Sequence, residues 1–400
     1  MMAGSESRYQ AFLEGLAPEN LRRELVDVEA VGARTIRVGG SDYVNLASND
    51  YLALRFHEAL IEGAAEWATR YGTGSGASRL VTGNLDLFAG IEAKAARLKG
   101  KPSALVMASG FQANAAVLAA LFDRTVLGAD PLVFADRLNH ASMHFGCKAA
   151  GIRELRYRHG DAAHLGELLS QHQGDSSPRF ILTESVFSMD GDVPPLEEIV
   201  RLARAHDACL IIDDAHATGI LGDGGSGLSG DADIVIGTFS KALGSFGAYV
   251  ACSNTMRDYL INRCSGLIYS TALPPPVLGA IDAALDLVPG MDVDRTYVAK
   301  LAARFRAGAQ ALGYDTGASA TQIVPLICGA PEAALDLGER LRKGGFWATP
   351  IRPPTVPKGT ARVRLAFTRA HKESDVDRLL EILADQANRA AMHRARAHPA

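Results

Sequence analysis

Between residues 103 and 252 six short apolar runs recur: Ser103–Ala108, Leu132–Ala135, Arg179–Thr183, Ala208–Asp213, Ile234–Thr238 and Ala248–Cys252. Each is rich in Val, Ile, Leu or Ala, and the intervals between most of them have helical length and period. Runs that are apolar at nearly every position suit strands buried on both faces. Such alternation predicts an α/β fold with a mainly parallel sheet, because parallel neighbours need a crossover helix that covers the sheet. Several runs end in a polar residue, and in open parallel sheets ligands bind at the carboxyl edge of the strands. The functional site is expected at that edge.

The rest of the chain is arranged around this repeat. Residues 1–50 read as an N-terminal arm, with a helix-like start and an extended stretch near Tyr43–Leu46, and residues 51–285 as the large domain. Pro274, Pro275 and Pro276 interrupt the pattern, a helical stretch is predicted over Val277–Leu312, and an α+β segment occupies about 320–385. A smaller C-terminal α+β domain is therefore expected over 286–385. Residues 386–400, with Arg389, Arg394 and Arg396 among alanines, read as a frayed helical tail.

Composition closes off several classes. With 400 residues and a formal net charge of −4, the chain offers no overall basic field for nucleic acid or anionic membrane. Its longest apolar run, Ala115–Phe122, falls far short of the roughly 18–20 residues of a spanning helix, and the polar first ten residues lack an apolar leader core. Five cysteines (Cys147, Cys209, Cys252, Cys264, Cys328) form no CxxC pair, which points to a reducing, cytoplasmic location. The 40 glycines exceed the roughly 7% average without a repeat, as expected of many tight turns or of backbone close to a ligand.

The candidate site residues cluster by motif. Gly72-Thr73-Gly74-Ser75-Gly76 lacks the GxGxxG spacing and follows a helix-like segment, Glu58–Tyr71, where a dinucleotide loop needs a strand. Ser109-Gly110-Phe111-Gln112 follows a strand and opens an Ala-rich helix, leaving free N–H groups and a favourable dipole for a phosphate. An ordinary strand-to-helix turn would look the same. Asp213 ends an apolar strand and is followed at three residues by His216, with no third ligand spaced for a metal. Twenty-eight residues after Asp213 comes Lys241, just past the end of Ile234–Thr238. A lysine there is placed as a desolvated amine able to form a Schiff base.

The order Gly110-Phe111, His140, Asp213-x-x-His216, Thr238-x-x-Lys241 resembles the fold type I enzymes that use pyridoxal 5′-phosphate (PLP), and within them the α-oxoamine synthases. Ser48–Leu52, Phe187–Asp192, Tyr269–Thr271 and Ile351–Pro357 sharpen the likeness, which runs from about Leu21 to Leu383. Asn139 and Ala217 depart from it locally. The resemblance implies PLP as cofactor and a homodimer with active sites at the interface, the Gly72–Gly76 loop lying nearby. Lys241 would be the Schiff-base lysine, Asp213 the partner of the ring nitrogen, and His140 the residue that stacks on the ring and faces substrate. Ser188 and His216 would bind near the ring's 3-oxygen, Gly110, Phe111 and Thr238 would contact the cofactor, and Ser270 and Thr271 would reach the neighbouring subunit's phosphate. For substrate it implies Arg364 and Asn49 at an amino acid carboxylate, and Thr355 with Arg22 at the acyl group. A one-residue insertion between Leu21 and Tyr43 leaves Arg23 as an alternative to Arg22. The segment Ile351–Pro357 is most like the members that condense L-alanine, with loss of carbon dioxide, with pimeloyl-CoA or pimeloyl-acyl carrier protein. A sister enzyme joining glycine to acetyl-CoA is the alternative, and a DNA-binding regulator on the same scaffold lacks a leftover basic helix-turn-helix segment.

Overall fold

The computed structural model describes residues 3–397, with side chains over 6–385. The chain divides into two compact units, one of residues 49–188 and 192–296, the other of 1–48, 189–191 and 297–400.

The first unit holds a seven-stranded sheet. Its order is Ser103–Met107, Ala248–Cys252, Ile234–Thr238, Ala208–Asp213, Arg179–Glu184, Leu132–Asp136, Leu155–Tyr157. All neighbours are parallel except Ala248–Cys252, which runs antiparallel to both of its partners. That strand returns from Thr238 by a short loop, and a loop so short can only reverse the chain. The expected apolar runs are these strands to within a residue or two. Ile211, Leu182, Val133, Ile236 and Val250 are buried in one core with the inner faces of helices Gly110–Leu121 and Ala141–Ala149, so burial on both faces accounts for the unbroken apolar sequence.

The helix predicted over Val277–Leu312 is two helices, Pro275–Leu287 and Asp292–Ala311, joined by a 3₁₀ turn at Val288–Gly290. Pro289 cannot donate an N–H and Gly290 resists helix formation. The break is held by the buried Arg295 guanidinium, which donates to Val288 O at 2.7 Å and to Pro289 O at 3.3 Å.

The second unit is not contiguous in sequence, which differs from the expected separate arm and C-terminal domain. Ser41–Asn45 of the arm pairs in parallel with Phe346–Trp347, and Ala366 N donates to Leu46 O at 2.8 Å. An Arg34–Asp375 ion pair and the bond from His371 to Asn45 O tie the arm further to the C-terminal segment. A three-stranded antiparallel sheet, Ile323–Gly329, Ala361–Ala366 and Thr349–Ile351, completes this unit with helices Pro331–Lys343 and Glu373–Ala397. The side chains of the tail arginines Arg389, Arg394 and Arg396 lie outside the described residues. No helix among the described residues is long and apolar enough to cross a membrane.

Candidate active site

The carboxyl edge of the large sheet carries a cleft lined by Ser109, Gly110, Phe111, Asn114, His140, Glu184, Asp213, Ala215, His216, Thr238, Ser240 and Lys241. Seven residues singled out from sequence thus share one cavity: Gly110, Phe111, His140, Asp213, His216, Thr238 and Lys241. They arrive from the ends of several different strands.

Lys241 lies in the loop between Ile234–Thr238 and Ala248–Cys252. Phe239 N donates to Gly247 O at 3.0 Å and Gly244 N to Lys241 O at 2.9 Å. Thr238 Oγ1 donates to Gly247 O at 2.7 Å, which leaves Ser240 Oγ, also 2.7 Å away, to donate to Thr238. Gly244 has φ of +66°, and a Cβ there would meet the Leu54–Arg55 backbone at 2.6 Å, so only glycine closes this turn. The lysine is held on a rigid loop.

Helix Gly110–Leu121 starts at the cleft. Ser109 caps it, its hydroxyl accepting from Gln112 N at 3.2 Å, which leaves the N–H groups of Gly110 and Phe111 turned outward from the helix. One turn in, buried Asn114 donates from Nδ2 to Asp213 Oδ2 at 2.6 Å and to Ser142 Oγ at 3.0 Å. Asp213 Oδ1 accepts from Ala215 N at 3.0 Å. Ser142 N donates to His140 Nδ1, and Ser142 Oγ lies 2.7 Å from the same nitrogen. Nδ1 is therefore an acceptor, and a neutral His140 carries its proton on Nε2. Burial lowers the His140 pKa, outweighing the attraction of Asp213 and reinforced by the positive charge of Lys241.

Glu184 sits beside Asp213 on the neighbouring parallel strand and accepts from His140 N. Burial first, and the Asp213 charge second, push its carboxyl well above the usual range. The shift favours the neutral acid form of Glu184. Behind His216, the buried Tyr51 hydroxyl lies 2.7 Å from His216 Nδ1 and donates to Asn49 Oδ1 at 3.2 Å, which links Asn49 to the cleft.

The other expected residues are not among this lining. Ser270 Oγ accepts from Gln112 Nε2 at 2.5 Å and Thr271 pairs with Ser78, both beside a second, smaller cavity. Ser188 follows Phe187 at the head of the loop closed by a Phe187 N to Asp192 O bond. In the second unit, Arg364 is buried on strand Ala361–Ala366, two residues from Arg362, which pairs with Asp190. Thr355 Oγ1 accepts from Arg23 Nη2 at 2.8 Å, which sets Arg23, the alternative to Arg22, beside Thr355. Sequence reasoning gave no role to Asn114, Ser142, Glu184 or Tyr51. For Asn114 the signal available was its spacing of four from Gly110, which puts both on one helix face.

These residues fit PLP. Outward N–H groups at a capped helix start suit its phosphate, and a buried, doubly hydrogen-bonded Asp213 carboxylate suits a protonated ring nitrogen. Lys241 lines the same cavity, ready for the aldehyde.

Comparison with known proteins agrees. Residues 41–383 match the family model of aminotransferase class I and II. The 8-amino-7-oxononanoate synthase of Gluconacetobacter diazotrophicus is 53% identical over 384 residues, covering 95% of this chain and 96% of the relative. Among solved structures, SPT with PLP superposes with a TM-score of 0.87 at 25% identity, covering 97% of this chain and 98% of that one. The 8-amino-7-oxononanoate synthase of Francisella tularensis does so with a TM-score of 0.73 at 26% identity, covering 87% and 99%. The chain belongs to the aminotransferase class I and II family, with the PLP-dependent fold type I architecture, and within it to the 8-amino-7-oxononanoate synthases.

Proposed function

We propose that this enzyme joins L-alanine to a pimeloyl thioester, releasing carbon dioxide and the free thiol, to form 8-amino-7-oxononanoate for biotin biosynthesis. The observation that carries the reading is the convergence of Lys241, Asp213 and His140 on one cleft in a chain 53% identical to a synthase of that name. Bound PLP supplies an electron sink for the charge that develops at the amino acid Cα. Lys241 takes the Cα proton and returns one at the end of the turnover. Asp213, fixed by Asn114 and the Ala215 N–H, holds a proton on the cofactor's ring nitrogen. Neutral His140 stacks on the ring and presents an Nε2–H to the substrate.

Gly110 and Phe111 N–H groups and Thr238 bind the cofactor's phosphate end, while Ser188 and His216 orient its 3-oxygen. Arg364 and Asn49 receive the alanine carboxylate, the guanidinium by a planar, two-pronged contact. At the acyl group, Thr355 and Arg23, rather than Arg22, bind the far carboxylate of the pimeloyl chain. Arg352 supports this: burial, and then the positive charge of Arg23, lower its pKa, and an anion would relieve that repulsion.

The enzyme is a cytoplasmic homodimer in this reading, in which Ser270 and Thr271 reach the phosphate bound by the neighbouring subunit. Five free cysteines suit a reducing compartment, and the exposed rings of Phe111, Phe246 and Tyr269 suit burial against a second copy. The test is product analysis with alanine or glycine against acyl-CoA thioesters of graded chain length and pimeloyl-acyl carrier protein. Alanine with a pimeloyl donor should give 8-amino-7-oxononanoate; turnover confined to glycine with acetyl-CoA would overturn the assignment.

A further inference from the structure

Outside the cleft lining, the first unit holds a charged arrangement centred on His159 that the mechanism above leaves unused. The His159 ring is sandwiched between two carboxylates, Nδ1 lying 3.1 Å from Asp136 Oδ1 and Nε2 2.9 Å from Asp192 Oδ2. With an acceptor at each nitrogen, both must carry hydrogen, so the ring is an imidazolium. It packs edge to face with the Phe187 ring, with centroids 4.4 Å apart and planes at 83°.

Each carboxylate closes a turn that leads to a cofactor residue. Asp136 ends its strand, accepts from Leu138 N at 2.9 Å and Gly160 N at 2.8 Å, and stands four residues before His140. Asp192 stands four residues after Ser188, and its carbonyl accepts from Phe187 N at 3.2 Å to close that loop. We propose that His159 is a positioning residue, a fixed cation that clamps the turn carrying His140 to the loop carrying Ser188. This rests on the cofactor roles assigned above to those two residues.

Electrostatics make the cation necessary. The Asp136 side chain is fully buried, and Asp192 Oδ1 is buried without a hydrogen-bond partner among the described residues. Glu184 and Tyr157, which also act on Asp136, are pushed by burial towards their neutral forms and supply no positive charge. Burial alone would lower the His159 pKa, but the bonds and charges of the two aspartates raise it to about 10. A neutral side chain at 159 would leave two carboxylates facing each other without compensation.

The experiment compares the wild-type enzyme with His159→Gln and Asp192→Asn. PLP affinity is read by titrating the apo-protein, alongside alanine KM, kcat and the cofactor's absorbance spectrum. Both variants should bind PLP about tenfold to a hundredfold more weakly, with an altered spectrum, as for groups that orient a binding shell. Loss of thermal stability with affinity and spectrum unchanged would overturn the clamp. Should His159→Gln fail to fold, Asp192→Asn and nitrogen NMR of the wild-type His159 ring decide. The ring should stay doubly protonated through about pH 8, and a neutral ring there would also overturn the proposal. Failure of the wild-type protein to bind PLP would instead count against the cofactor reading itself.

Discussion

Asn114 donates one amide hydrogen to Asp213 Oδ2 at 2.6 Å and the other to Ser142 Oγ at 3.0 Å. The carboxylate proposed above as the partner of the ring nitrogen and the hydroxyl beside His140 Nδ1 therefore share one anchor. Asn114→Leu removes both donors at similar volume. A buried hydrogen bond to a charged group contributes about 1.5–3 kcal/mol, so kcat/KM should fall roughly tenfold to a hundredfold. Asn114→Asp should be worse, because it sets a second carboxylate against Asp213, and should recover partly as pH falls and one of the pair takes up a proton. Steady-state kinetics between about pH 6 and 8 reads both effects; wild-type kinetics in Asn114→Leu would show the anchor to be idle.

Lys241→Ala should retain the fold, since the turn is held by Thr238, Gly244 and Gly247, and should lose turnover by a factor on the order of 10³ or more. Borohydride reduction with PLP should place a pyridoxyl group on Lys241 of the wild type and on no residue of the variant. Peptide mass mapping checks this directly, and an adduct at another lysine would displace Lys241 from its role.

Arg23 and Thr355 are joined at 2.8 Å in a segment where sequence alignment leaves the register open by one residue. Arg23→Ala should raise KM for the pimeloyl donor about tenfold or more while leaving kcat and the alanine KM near wild type, as expected for a uniform binding contact. Arg22→Ala should change little. With an acyl-CoA that lacks the terminal carboxylate, Arg23→Ala and wild type should converge, and a persisting difference would remove the carboxylate assignment.

These residues differ in how far sequence exposes them. Asp213 and Lys241 are legible because each stands where an apolar strand stops, and the parallel-sheet rule then assigns them to the same edge. Asn114 is not, since an Ala-rich helix marks no position except by its spacing from Gly110. His159 is less so: its partners lie 23 residues before it and 33 after it, and no local pattern couples them. The arm misled for the same reason. Its strand Ser41–Asn45 finds its partner at Phe346–Trp347, a pairing some 300 residues apart that only the folded chain reveals. By contrast, the break at Val288–Gly290 was written in Pro289 and Gly290, and the helical period around it concealed the signal.

Lys99 and Asp214 form a pair at 2.5 Å, both side chains at most 1% exposed, immediately after Asp213. Leu228 N also donates to Asp214 Oδ1 at 3.2 Å, and Thr218 Oγ1 donates to Asp214 O at 2.8 Å. Lys99→Met should cost about 3–5 kcal/mol, because it strands a buried carboxylate. Adding Asp214→Asn should restore part of that loss. Denaturant unfolding of the single and double variants measures the coupling, and additive losses would mean that the two charges do not support each other.

His371 gives the second unit its own pH dependence. Its Nδ1 accepts from Thr368 N at 3.0 Å and its Nε2 donates to Asn45 O at 3.0 Å, so both nitrogens are committed with a single proton. Burial, only partly offset by the bond to Asn45 O and the charge of Asp375, lowers its pKa to about 4. The unfolded chain takes up a proton near the ordinary histidine value of about 6.5, while the folded chain resists until about 4. The contribution is therefore whole above pH 6.5 and is lost as pH falls through that interval, about 2 kcal/mol of it between pH 7 and 5. In His371→Asn, which cannot protonate, the decline of stability over that range should be shallower by the same amount. Denaturant unfolding of both proteins at the two pH values measures the difference, and parallel declines would show that His371 is not the group that titrates.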